Sequence, residues 1–243
     1  MRGPFTRSLT FRHTGHIGDI IAFLPVFYAM GGTKLLIADE LWGLPMTGFK
    51  YDSVKPLLVS QGIEVELNSN TPSIDYDVSN WRECYEHHIS LTDAQARYLR
   101  LVPRGTGHLS ITGPWLKVDA DPCTRGRVIF NRTPRYRNPG FCWKDALVHF
   151  GSRSLFIGTK EEHEEFERLV GKIEHHPTAD CLKIANAIEG ADFFVGNQSS
   201  SFWIAAALRK PLVQEVDLVV TNSIIEYAGA HYPRDGKIDF SKS

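Results

Sequence analysis

The sequence predicts an α/β protein of two Rossmann-like units with a ligand cleft between them. Three observations lead there. Short runs rich in β-branched and aromatic residues alternate with helical stretches along the chain, the rhythm of parallel strands joined by crossover helices. That rhythm breaks between Pro103 and Pro122, where glycine and proline accumulate, and then restarts. At 243 residues the chain is long for one ordinary domain and short for two large ones. The expected division is residues 1–120 and 121–243, with functional loops at the carboxyl ends of the strands.

Each element has its own signal. Ser8–His13 (SLTFRH) reads as a strand, and Asp19–Met30 as a helix opening after Gly18. Thr33–Ala38 (TKLLIA) is a second strand. Asp52–Gln61 is helical and ends at Gly62, and Ile63–Leu67 (IEVEL) is a third strand. Ser90 caps a helix to Leu101, with Asp93 three residues on. After the linker, Arg127–Asn131 (RVIFN) is a strand and Trp143–Phe150 a helix. Ser154–Gly158 (SLFIG) is a strand, followed by the acidic helix Lys160–Val170. Thr178–Glu189 is helical, with Asp180 near its start and Gly190 as its stop. Asp192–Gly196 (DFFVG) is a strand, Ser199–Leu208 a helix and Pro211–Glu215 a strand. A last helix is expected over Asn222–Ala230.

Composition narrows the class. With 42% hydrophobic and 23% charged residues the chain has a proper core, which excludes disorder, collagen and coiled coil. Twenty-seven Lys and Arg against 28 Asp and Glu leave a net charge of −1, so any anion site must be local. Cys84, Cys123, Cys142 and Cys181 contain no C-x-x-C pair, and they read as reduced thiols in a cytoplasmic protein. The first apolar run, Ile20–Met30, is interrupted by Pro25 and too short to span a bilayer. With no small-x-small cleavage site after it, neither an export signal nor a transmembrane segment is expected.

Three loops carry candidate chemistry. His13-Thr14-Gly15-His16-Ile17-Gly18-Asp19 joins the first strand to the first helix. Gly15 and Gly18 let backbone approach a ligand, the helix start favours an anion, and His16 is a candidate contact. It is neither a P-loop nor a G-x-G-x-x-G fingerprint. Asp19 either caps the helix or serves as a general base. The second loop ends a buried strand at Gly196, and Asn197, Gln198, Ser199 and Ser200 open a helix. Its amides and hydroxyls suit a phosphate, or equally an N-cap and tight turn. Gly-x-Ser-x-Gly is absent, which disfavours a hydrolase nucleophile elbow. The third, Asn131–Asn138, carries Arg132, Arg135 and Arg137, which could clamp a diphosphate and neutralise a leaving group. The alternative is a solvated loop or nucleic-acid patch, enlarged by Arg125 and Arg127, with Tyr136 and Phe141 available to stack on a base and Trp143 reading better as core or helix start than as a base platform.

Two of these loops carry a resemblance. Residues 15–30 (GHIGDIIAFLPVFYAM) resemble the Gly-Asp-x-x-x-x-x-Pro start of glycosyltransferase family 9, the lipopolysaccharide heptosyltransferases. Residues 191–213 (ADFFVGNQSSSFWIAAALRKPLV) are similar to its strand–Gly-Asn-Asp-Ser-Gly–helix–Ala-Ala-Ala-Leu-x-Lys-Pro signature. Gly158-Thr159-Lys160-Glu161 resembles its Gly-x-x-Glu turn. The resemblance implies the GT-B fold, a sugar nucleotide bound mainly by the second domain, and inversion at the anomeric centre without an obligatory metal or cofactor. It places the base on Asp19, the diphosphate on Gly196, Asn197, Gln198, Ser199 and Ser200, and the ribose on Glu161. Gln198 stands where the family has Asp, Ser200 where it has Gly, and the chain is shorter than a typical member.

The remaining motifs are weaker. Asp75-Tyr76-Asp77 spells D-x-D but fits the polar face of a strand. The adjacent pairs His87-His88 and His175-His176 do not face one ligand, and no H-E-x-x-H exists, so no metal site is expected. The sequence therefore points to a small GT-B glycosyltransferase. It would move a sugar from a nucleoside diphosphate to a hydroxyl of a glycan, a lipid-linked sugar or a small molecule. Two readings stay open: a non-catalytic nucleotide-sugar-binding module, and a transferase acting on modified nucleic-acid bases.

Overall fold

The computed structural model describes residues 8–38, 40–41, 44–45, 48–68 and 73–238. The chain divides into two compact units, Met1–Glu86 with Leu91–Thr112, and His87–Ser90 with Gly113–Ser243.

The first unit runs β1 (Leu9–His13), α1 (Ile17–Ala29), β2 (Gly32–Ala38), β3 (Glu40–Leu41), β4 (Leu44–Pro45), α2 (Gly48–Ser60), β5 (Glu64–Asn68), β6 (Tyr76–Asp77) and α3 (Leu91–Tyr98). Its sheet has the order β5-β2-β1-β6, and the β1–β2, β2–β5 and β1–β6 pairs are all parallel. Parallel neighbours need crossovers, and α1 and α2 supply them. Helix α1 is buried from Asp19 to Phe27, which is why its sequence is apolar on every side. Its interior Pro25 gives up one helix N–H, and Thr92 Oγ1 from α3 donates to the Ala22 carbonyl at 2.7 Å. The strands and helices expected here are present, with α2 starting four residues early. Strand β6 falls on the D-x-D segment, in line with its reading as the polar face of a strand.

The second unit runs β7 (Val128–Asn131), α4 (Trp143–Phe150), β8 (Ser154–Phe156), α5 (Lys160–Leu169), β9 (Glu174–His175), α6 (Cys181–Gly190), β10 (Phe193–Asn197), α7 (Ser200–Ala207), β11 (Leu212–Glu215) and β12 (Ala230–His231). The sheet order is β12-β11-β10-β7-β8-β9, all parallel. Read from β9, this is the doubly wound order 3-2-1-4-5-6, and the winding reverses between β7 and β10. Phe130, Trp143, Phe150, Phe156 and Phe166 fill the core on one face. Each buried ring contributes about 1.5–3 kcal/mol of transfer free energy.

The helix expected over Asn222–Ala230 does not form. Asn222 and Ser223 are buried and accept hydrogen bonds from Gln198 and Gln214. Tyr227 Oη donates to the Lys210 carbonyl at 2.6 Å, and Gly229 turns the chain at φ +89° into β12. These contacts to the sheet displace local helical bonds. Phe141, named above as a possible base platform, is 6% exposed and belongs to the core, as does Trp143, 4% exposed at the start of α4. Among the described residues no helix is long and apolar enough to cross a membrane.

Candidate functional site

In the first unit, the polar side chains gather at the carboxyl end of β1, beside the point where the sheet order reverses toward β6. Asp19 is the third residue of α1, and its Oδ2 accepts the His16 amide at 2.9 Å. The capping role is therefore real. The same Oδ2 also accepts Arg82 Nη2 at 2.7 Å, while Oδ1 takes no hydrogen bond from the described residues. Arg82 comes from a short 3-10 turn, Trp81–Cys84, that follows β6, and its guanidinium lies 4.4 Å over the Trp81 ring. His16 Nδ1 is 3.1 Å from Lys50 Nζ. Gly15 is needed for closeness: a Cβ there would stand 2.9 Å from Asp19 Cβ and 3.0 Å from its Oδ2. Gly18 is the second residue of α1 and partly exposed.

Behind this cluster His13 is fully buried. Gln95 Nε2 donates to the Asp19 carbonyl at 3.1 Å, so its Oε1 must face His13 Nε2, 3.0 Å away. That fixes the Nε2–H tautomer and leaves Nδ1 as a buried acceptor without a partner among the described residues. Burial, outweighing the nearby Asp19 charge, pushes the His13 pKa down from 6.5 to about 4. Neither Arg82 nor Gln95 carries a sequence signal. Both lie far from the loop in the chain and meet it only through the fold.

In the second unit, the site residues sit at the carboxyl ends of β7, β10 and β11, where the winding reverses. Gly196 lies against the Asn131 carbonyl, 3.1 Å from where a Cβ would be, and a Cβ would stand 2.5 Å from the Phe194 ring. Asn197 is fully buried and staples the arginine loop. Its Oδ1 accepts Thr133 N–H at 2.9 Å, and its Nδ2 donates to the Thr133 and Arg135 carbonyls at 3.0 and 2.6 Å. Ser199 caps α7 by accepting Phe202 N–H at 3.2 Å, and donates to Asn131 Oδ1 at 2.8 Å. The Ser200 and Ser201 amides, first in the helix, have no intrahelical acceptor. Gln198 points inward, donating to Asn222 Oδ1, and its own Oε1 is buried without a partner among the described residues.

The three arginines divide. Arg132 makes a two-pronged pair with Glu215, at 3.1 Å from Nε and from Nη2, and lies 5.4 Å over Trp143. Glu215 is fully buried and also accepts Asn138 N–H at 2.8 Å. Arg137 pairs with Glu165 on α5 through both terminal nitrogens. Arg135 is exposed over the Tyr136 ring and has no acidic partner among the described residues. Tyr136 sits at φ +55°, a left-handed conformation that holds the loop apex in a fixed shape. Glu161 is exposed on the first turn of α5, one turn before Glu165 on the same face, while the capping box is made by Thr159 and Glu162. Glu215 and Glu165 escaped the sequence reading because a strand end and an acidic helix gave no reason to single them out.

The D-x-D residues have structural partners. Asp75 Oδ2 accepts Thr10 N–H at 2.9 Å, and Asp77 holds Arg12 at 3.2 Å and Ser79 N–H at 2.8 Å. Among the described residues, no three His, Cys, Asp or Glu side chains converge on a point where a metal could sit.

Two Rossmann-like units with polar groups at the strand ends place the chain among α/β proteins with two parallel sheets. No protein-family model matches the chain, and no curated protein matches it. Solved structures share its fold. The iron-containing dodecameric glycosyltransferase TibC from enterotoxigenic E. coli is 16% identical with a TM-score of 0.54, over 93% of this chain. This chain spans 63% of TibC's length. The family 9 glycosyl transferase from Veillonella parvula is 11% identical with a TM-score of 0.51, over 92% of this chain and 84% of that one. The E. coli heptosyltransferase WaaC, in a structure with ADP-2-deoxy-2-fluoro heptose, is 12% identical with a TM-score of 0.51, over 93% of both chains. At these identities the likeness is one of fold.

Proposed function

We propose that the chain is a small inverting glycosyltransferase whose second unit holds a nucleoside-diphosphate sugar and whose first unit serves the acceptor. One observation carries the reading. At the winding reversal of the second sheet, the open start of α7 and an exposed Arg135, with no acidic partner among the described residues, flank a loop held by Asn197, Glu215 and Glu165. Amides at a helix start and a guanidinium are the donors a diphosphate takes. Arg135 meets the diphosphate, while Arg132, its charge shared with Glu215, orders the loop. Glu161 stands at the head of α5 for the ribose. The residue resemblance to glycosyltransferase family 9 and the shared fold support the same reading.

In the reaction, Asp19 Oδ1 takes the proton of the acceptor hydroxyl. The acceptor oxygen bonds to the anomeric carbon from the face opposite the diphosphate. The carbon–oxygen bond to phosphate breaks with its electron pair on the leaving diphosphate, where Arg135 and the Ser200 and Ser201 amides stabilise the charge. No step in this scheme calls on a metal.

The test is a thermal-shift and calorimetry panel of ADP, UDP, GDP and CDP and their hexose conjugates, with and without magnesium. One nucleotide should stabilise the protein, and Arg135→Ala should weaken it by about tenfold or more, as loss of a charge-assisted bond does. Failure of every nucleotide at millimolar concentration would refute the donor site. Asp19→Asn should leave donor binding in place and cut turnover to a small residual rate. Binding without turnover in the unsubstituted chain would favour a non-catalytic module.

A further inference from the structure

We propose that Arg82 is a positioning residue for Asp19, fixing which carboxylate oxygen faces the acceptor; this rests on the reading of Asp19 as the base. Two hydrogen bonds, from Arg82 Nη2 at 2.7 Å and the His16 amide at 2.9 Å, fall on the same oxygen, Oδ2. A carboxylate held by one oxygen from two directions cannot turn without losing both bonds, so Oδ1 is presented in one orientation. The surroundings enforce the same pose. Gln95 ties the Asp19 carbonyl at 3.1 Å, and the absent Cβ of Gly15 lets the loop close on the carboxylate. Arg82 itself is steadied on the Trp81 ring, and Trp81 is 1% exposed.

The chain topology gives this pairing its meaning. Asp19 follows β1 and Arg82 follows β6, the two strands on either side of the first sheet's reversal. A cap needs only the His16 amide, which α1 supplies locally. The Arg82 bond adds nothing to that cap and comes from 63 residues away. The arrangement makes chemical sense where the orientation of Oδ1 matters, which is the condition for a base that must meet one hydroxyl.

The experiment uses the full chain and the nucleotide hexose that gives the largest thermal shift in the panel above, with water as acceptor and donor consumption as readout. Arg82→Gln should lower kcat by about 100-fold, the scale of a misplaced catalytic group, with the donor KM within about twofold of the original. Arg82→Lys should recover part of the loss. The double variant Asp19→Asn with Arg82→Gln should be no slower than Asp19→Asn alone, because a residue acting through Asp19 has nothing left to position. Near-normal kcat in Arg82→Gln, or losses that multiply in the double variant, would overturn the assignment and leave the transfer reading intact. A chain that consumes no donor overturns the transfer reading, and this assignment with it. A crystal structure of Arg82→Gln provides a readout independent of turnover. Asp19 Oδ1 should be displaced there, and an unmoved carboxylate refutes the role.

Discussion

His13 shows how one side chain ties the candidate base to the stability of the fold. Its imidazole is fully buried, bonded at Nε2 and without a partner at Nδ1 among the described residues. Desolvation holds its pKa down at about 4 against 6.5 in the unfolded chain. Between those values the unfolded state binds the proton and the folded state does not, so stability rises with pH across the window. The contribution is complete above pH 6.5 and is lost as pH falls toward 4, at up to about 1.4 kcal/mol per pH unit. Urea unfolding from pH 7 to pH 4 should show that slope, and His13→Asn should flatten it. An equal slope in both proteins would place the pH sensitivity elsewhere. At this scale the sequence was half legible. Asp19, Gly15 and Asn197 stood out because loops after strands are where small and polar residues have unusual jobs. His13, Gln95 and Arg82 did not, since a histidine closing a strand or a glutamine inside a helix has no local signature. Only their convergence gives them one.

The segment from Arg132 to Asn138 shows the same limit for an element. Its composition marks it as basic, and the sequence leaves its three arginines either clamping a diphosphate or lying in a solvated loop or nucleic-acid patch. Two of them are instead consumed in building the loop, by Glu215 and by Glu165. The acid that holds Arg132 is 83 residues away, so no local pattern could pair them. Glu215→Gln leaves a guanidinium that is only 13% exposed without its counter-charge. Breaking a buried pair this way costs about 3–5 kcal/mol, to be read as a lowered midpoint in chemical denaturation. Asp192→Asn, which cuts a pair exposed at both ends to Arg153, should cost under about 1 kcal/mol. Similar losses in the two variants would argue against the loop being anchored by Glu215. The expected helix over Asn222–Ala230 failed for a related reason. Polar residues that read as a helix start are spent on the buried amides of Gln198 and Gln214.

For the whole molecule, the alternation of strands and helices was enough to foresee two parallel α/β units. Crossover geometry leaves few other ways to join parallel strands. What alternation does not encode is strand order, because β6, β9 and β12 are two-residue strands placed by pairing alone. The order matters for the candidate site, since it puts Asn131 and Gly196 side by side at the reversal. A nucleotide at about 100 times its Kd should stabilise its unit by about 2.7 kcal/mol. Hydrogen exchange should show that gain in the slowest amides of β7, β10 and β11, and an absence of added protection there would move the nucleotide to another surface. Asn197 carries the thought further. Its amide gives and takes hydrogen bonds with the Thr133 backbone as a neighbouring strand would, so it acts as one extra rung beyond the end of the sheet. A loop fastened by such a rung has no soft hinge of its own. On heating, ligand affinity should hold until the sheet itself melts and then vanish with it, in one step and without an earlier decline.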